Sequence, residues 1–160
     1  MRWARIEVDG DACYGLVEAD GVAVVDGNPF DGYAATGVSI PMGDVRWLVP
    51  VVPRTFYAAG LNYVEHIKEQ AESRGETPSF PPQADIGYRA NNALIAHGEA
   101  IVIPGDATEA VEYEAEIVAV IGKTAKHLTE ENALSCVLGY TIGNDVSERT
   151  WQKADRTMWR

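Results

Sequence analysis

The sequence predicts an α+β chain that is mainly β, and three observations carry that expectation. Short β-branched and apolar runs recur along its length, separated in the first 27 residues by Asp-Gly pairs. Residues 117–121 form an unbroken apolar run with strand character, expected to be buried. Helix-start signals occur at only three places, Asn62, Thr129 and Ser147.

Taken in order, residues 2–8, 13–19 and 22–25 read as a small β meander. Asp9-Gly10, Asp20-Gly21 and Asp26-Gly27 punctuate it, because glycine tolerates the positive φ that twisted hairpin turns demand. Residues 28–45 are turn-rich, 45–52 return as an apolar segment, and Pro53 marks a boundary. This gives a small N-terminal β domain over 1–53 and a second domain over 54–160.

The second domain opens with a strand over 55–59 and a helix from Asn62 to Ala71. Asn62 is the expected cap, and Tyr63, Val64, Ile67 and Ala71 are the expected buried stripe. His66 and Glu69 are three apart, so they share a neighbouring helical face and can hydrogen-bond. A carboxylate that holds an imidazole fixes its tautomer, which suits a general base, whereas a surface helix with incidental charges explains the same pair. Residues 72–85 hold Gly75 and three prolines and form a long loop, either a lid or a surface excursion. Strands are expected at 86–90, 93–96, 100–103 and 137–143. Thr129 is expected to cap a helix with Glu130 and Glu131 in its first turn, and Ser147 to open a last helix. His97 and His127 fall in turns.

The most informative stretch is 109–122. Side chains alternate along a strand, so Glu112, Glu114 and Glu116 share one face. Carboxylates two residues apart lie roughly 7 Å apart at the backbone. Crowded beside an apolar run they repel and lose hydration unless a cation joins them, and a hard divalent ion is the natural partner. A wet sheet edge is the alternative. Asn144 and Asp145 close the strand at 137–143, and strand ends are well placed for sites.

Composition narrows the function. The 160 residues are 46% hydrophobic and 23% charged, as in a soluble globule with a real core. A formal net charge of −11 without a basic block disfavours nucleic acid and anionic membrane as partners. Cys13 and Cys136 read as reduced thiols packed as small hydrophobes. No membrane-length apolar run or signal-peptide pattern appears, so a cytoplasmic protein is expected.

Three segments together resemble the fumarylacetoacetate hydrolase family: Ala59-Gly60-Leu61-Asn62-Tyr63-Val64-Glu65-His66, then 113–122 with its Glu-x-Glu, then Gly139-Tyr140-Thr141-Ile142-Gly143-Asn144-Asp145-Val146-Ser147-Glu148-Arg149. The resemblance implies a mixed β-sheet, β-barrel-like fold with a small N-terminal β domain, usually a homodimer. It implies Glu114, Glu116 and Asp145 as ligands of Mg²⁺ or Mn²⁺, with Ca²⁺ an alternative. It implies His66 as general base with Glu69 orienting it, and Arg149, Gln152 and Arg89 as contacts for a small anionic oxo-acid. Glu112 is not implied as a ligand. Relatives often have Phe-x-Lys-Pro where this chain has Gly87-Tyr88-Arg89-Ala90, and members continue further, with a Lys soon after this point and a later Gly/Thr-rich segment. A partner segment supplying them is therefore one expectation. The activity implied is metal-dependent hydrolysis of a C–C bond in an acylpyruvate-type acid, such as occurs in aromatic-compound catabolism. Decarboxylation of a β-keto acid such as oxaloacetate, isomerisation or hydration of an unsaturated 2-oxo diacid, and a non-catalytic subunit are the alternatives.

Overall fold

A computed structural model describes residues 1–155. The described chain divides into two compact units, one formed by Met1–Val52 with residues 95–155, the other by Pro53–Leu94. All described strand pairings are antiparallel, and the sheets are open rather than closed into a barrel.

The N-terminal meander is a five-stranded sheet. Its strands are β1 (Trp3–Val8), β2 (Asp11–Val17), β3 (Gly21–Asn28), β4 (Gly32–Pro41) and β5 (Arg46–Trp47), in the order β4-β3-β2-β1-β5. Asp9 and Gly10 both take positive φ (53° and 88°) and make the tight β1–β2 turn. Ala4, Ile6 and Val22 are buried at its centre, with Val17, Ile40 and Trp47 packed around them. Strand β4 was not expected, since glycines and small residues dominate it and it is exposed along nearly its whole length. It pairs with β3 from Asn28↔Gly32 to Gly21↔Pro41, so hydrogen bonding rather than a buried face defines it. Asp26-Gly27 accordingly lies inside β3 and is not a turn.

In the unit Pro53–Leu94, β6 (Tyr57–Gly60) pairs with β7 (Asp85–Tyr88), and the Tyr57 and Tyr88 rings lie 4.9 Å apart across the ribbon. Helix α1 (Val64–Arg74) follows β6. Its N-cap is Tyr63 without a side-chain bond, so Asn62 does not cap it. Only Ile67 and Ala71 are buried, while Tyr63 and Val64 are exposed. Gly75 stops the helix in the left-handed region (φ 68°), as a C-terminal glycine does.

From Ile95 on, residues 100–103 form no strand, and the helix expected at Thr129 is replaced by turns and a 3₁₀ segment over Ala133–Cys136. The Thr129 carbonyl accepts from both Asn132 and Ala133 N–H, but the run does not extend into an α-helix. Strands β8 (Val111–Glu112), β9 (Ala115–Ile121), β10 (Val137–Asn144) and β11 (Ser147–Glu148) form two ribbons, β9 with β10 and β8 with β11. Helix α2 (Arg149–Ala154) leaves directly from β11. The apolar run in β9 is not uniformly buried. Burial alternates, and Ile117 (69% exposed), Tyr140 (62%) and Ile142 (85%) line an open face of the β9–β10 ribbon.

Candidate metal and carboxylate centre

The β9–β10 register pairs Gly143 with Glu116 and Asn144 with Ala115. One step further, Asp145 N–H donates to the Glu114 carbonyl (2.9 Å), and the Asn144 side chain accepts from Glu114 N–H (3.1 Å). Residues opposite one another across an antiparallel pair project to the same face. Glu114, Glu116 and Asp145, two segments far apart in sequence, are thus brought to neighbouring positions on one face. Gly143, opposite Glu116, presents no side chain there. A Cβ at this position would stand 3.0 Å from Val118 Cγ2.

The β8–β11 ribbon adds the countercharge. Its register sets Ser147 opposite Glu112 and Glu148 opposite Val111, and Arg149 N–H donates to the Ala110 carbonyl (2.9 Å). The Arg149 side chain then reaches three acceptors. Nε donates to Glu112 Oε2 (2.8 Å), and Nη1 donates to Glu114 Oε1 (2.9 Å) and to Gln152 Oε1 (3.1 Å). The Glu112 carboxylate, above all, holds the Arg149 guanidinium above its ordinary pKa, so it is a permanent cation here.

Glu148 is buried behind this cluster. One oxygen accepts from the Thr108 hydroxyl and the other from Trp151 N–H (2.5 Å), which caps α2 and so fixes where Arg149 and Gln152 start. Burial pushes the Glu148 carboxyl up. The Thr108 hydroxyl and the backbone N–H groups of Trp151 and Thr150 together outweigh it and leave the group below its ordinary value.

Among the described residues, no three His, Cys, Asp or Glu side chains close on a common point that could hold a metal ion. Glu114 Oε1 is taken by Arg149 and by the Ser147 hydroxyl (2.7 Å). The donor chemistry still fits a hard divalent cation, with three carboxylates on one face and no soft ligand.

The other expected site residues stand in the unit Pro53–Leu94. His66 is exposed on α1, and its Nε2 lies 2.6 Å from Gln70 Nε2, close enough for that amide to donate to an unprotonated ring nitrogen. The imidazole's neighbour is therefore Gln70, four residues on, where Glu69 was expected. Arg89 is half-buried directly after β7, where its N–H donates to the Phe56 carbonyl. Ser147 was expected only as the start of a helix and lies instead in β11, and neither Glu148 nor Thr108 was expected at the site. Ser147 and Glu148 owe their place to the β8–β11 pairing, which a two-residue strand does not advertise.

The fumarylacetoacetate (FAA) hydrolase C-terminal profile matches residues 55–160, and an Rv2993c-like N-terminal profile matches residues 1–50. The chain belongs to the fumarylacetoacetate hydrolase family. Among its relatives are an uncharacterised protein of Archaeoglobus fulgidus (33% identical over 94% of this chain and 54% of the relative) and Protein Rv2993c of Mycobacterium tuberculosis (38% over 80% and 46%). The human oxaloacetate tautomerase FAHD2A is 33% identical over 71% of this chain and 34% of its own. Among solved structures, a 5-carboxymethyl-2-hydroxymuconate delta-isomerase from Mycobacterium smegmatis superposes with a TM-score of 0.81 at 33% identity, over 97% of this chain and 58% of that one. The fold is theirs. This chain spans about half the length of the curated relatives it matches.

Proposed function

We infer that this chain carries the carboxylate half of an enzyme that enolises small 2-oxo acids with the help of a divalent cation, Mg²⁺ or Mn²⁺, with Ca²⁺ as an alternative. The observation that carries the reading is the register that sets Asp145 beside Glu114 and Glu116. These three residues would hold the cation, which supplies charge stabilisation to an oxygen that becomes negative as a proton or carbon group leaves its neighbour. Arg149 keeps the carboxylates from repelling one another and places a cation where an anionic substrate meets a protein of net charge −11. Gln152 turns its carbonyl to Arg149, which leaves its amide hydrogens for a substrate oxygen. His66 takes the proton, through whichever ring nitrogen is unprotonated, and Arg89 adds positive charge for a substrate carboxylate.

Hydrolysis of an acylpyruvate, decarboxylation and tautomerisation all pass through such an enolate. Relatives named as oxaloacetate tautomerase or hydroxymuconate isomerase favour the proton-transfer end of that range, and one structural relative is named fumarylacetoacetate hydrolase. Oxaloacetate, fumarylpyruvate and acetylpyruvate, each assayed with Mn²⁺ and with chelator, test the reading. Conversion of at least one, abolished by chelator and by His66→Ala, is expected; turnover indifferent to both contradicts it.

A second reading has its own observation. The open apolar face carrying Ile117, Tyr140 and Ile142 favours a chain that works with a complementary segment or a second copy, as in a homodimer.

A further inference from the structure

Two polar side chains are buried among the described residues, Ser147 (3% exposed) and Glu148 (7%), and they are consecutive in β11. A strand sends neighbours to opposite faces. Glu148 serves Thr108 and the start of α2, while Ser147 serves the carboxylate cluster. A serine hydroxyl has one hydrogen to give. The nearby Asp145 carbonyl is 3.5 Å away, and the hydroxyl goes instead to Glu114 Oε1 at 2.7 Å.

We propose that Ser147 is a positioning residue for a cation ligand: with Arg149 it pins Glu114 Oε1, so that Oε2, which neither bond engages, is the oxygen presented to a divalent ion. This rests on the cation reading above. Arg149 by itself holds Glu114 through a single hydrogen bond to Oε1, about which the carboxylate can still turn. The hydroxyl sits on a short, buried side chain that cannot follow it. Without the hydroxyl, Glu114 keeps a charge partner but loses its fixed direction. Groups that orient a metal ligand without touching the metal typically change affinity by about 10- to 100-fold.

Threonine and valine have the same shape, so replacing Ser147 by each in turn isolates the hydroxyl from packing at this buried strand position. Mn²⁺ affinity, read from the electron paramagnetic resonance signal of the free ion, should fall at least about tenfold in Ser147→Val and stay within about threefold of wild type in Ser147→Thr. Ser147→Ala should match the valine variant, and serves if the added methyl prevents folding. Equal affinity of wild type and the variants lacking the hydroxyl overturns the assignment alone. A wild-type chain that takes up no Mn²⁺ overturns both it and the cation reading.

Discussion

Arg149 Nη1 donates to Glu114 Oε1 at 2.9 Å, while Nε of the same guanidinium holds Glu112 at 2.8 Å. One cation thus spans two carboxylates two residues apart in the chain, one at the end of β8 and one just before β9. Arg149 and Glu114 are each about three-quarters shielded from water, so this pair lies between a surface ion pair and a buried one.

Removing that cation strands two carboxylates. Arg149→Met should lower the stability of the chain by about 1–3 kcal/mol, read from the denaturant midpoint. Arg149→Lys should recover only part of it, since an ammonium cannot fork between two carboxylates as a guanidinium does. A lysine variant as stable as wild type would show that the fork is not used.

Glu148 gives the fold an acid limit. Its folded-state pKa lies below the ordinary value of 4.5, so it adds stability that is present above that value and is lost as pH falls through the depressed one. The melting temperature of wild type should therefore drop on acidification below about pH 4.5, and part of that slope should vanish in Glu148→Gln. In the variant the amide can donate to Thr108 while its oxygen still accepts from Trp151 N–H, so the helix cap survives. An unchanged acid slope would remove Glu148 from the account.

The N-terminal sheet depends on a few side chains. Ile6 is fully buried against Ala4 and Val22, and Ile6→Ala should cost about 2–5 kcal/mol by calorimetry or denaturant titration. Gly15→Ala, whose Cβ would stand 2.8 Å from the Ala23 carbonyl oxygen and closer still to the Val22 side chain, should cost about 1–3 kcal/mol by overpacking. A neutral effect of either would mean that this sheet is not packed as described.

Much of this was legible from sequence where local chemistry decides the outcome. Asp9-Gly10 turns as its residue types require, the run from Ala115 to Ile121 is a strand, and a last helix does follow Asp145, although Ser147, expected to open it, lies in β11 and Glu148 caps the helix that begins at Arg149. Misses fall where pairing overrides local preference. Gly32–Pro41 has neither a buried face nor many β-branched residues, yet it is a strand because β3 offers it an edge. Thr129 followed by Glu130 and Glu131 carries helix-start chemistry, but the next residues close into a short 3₁₀ turn that feeds β10. At the carboxylate centre the Glu-x-Glu pair was visible, and the family resemblance named Asp145, Arg149 and Gln152, whereas Thr108 and the roles of Ser147 and Glu148 were not expected. Ser147 and Glu148 look like ordinary surface residues until the two-residue ribbon with β8 buries them.

Direct measurement of Mn²⁺ binding to the intact chain, in wild type, Glu116→Gln, Asp145→Asn and the control Glu112→Gln, bears most closely on whether these carboxylates hold a divalent ion. About one ion per wild-type chain is expected, weakened more than about 100-fold in the first two variants and much less in the control. A wild-type chain that binds none, or variants at Glu116 and Asp145 that bind as the control does, would contradict the account.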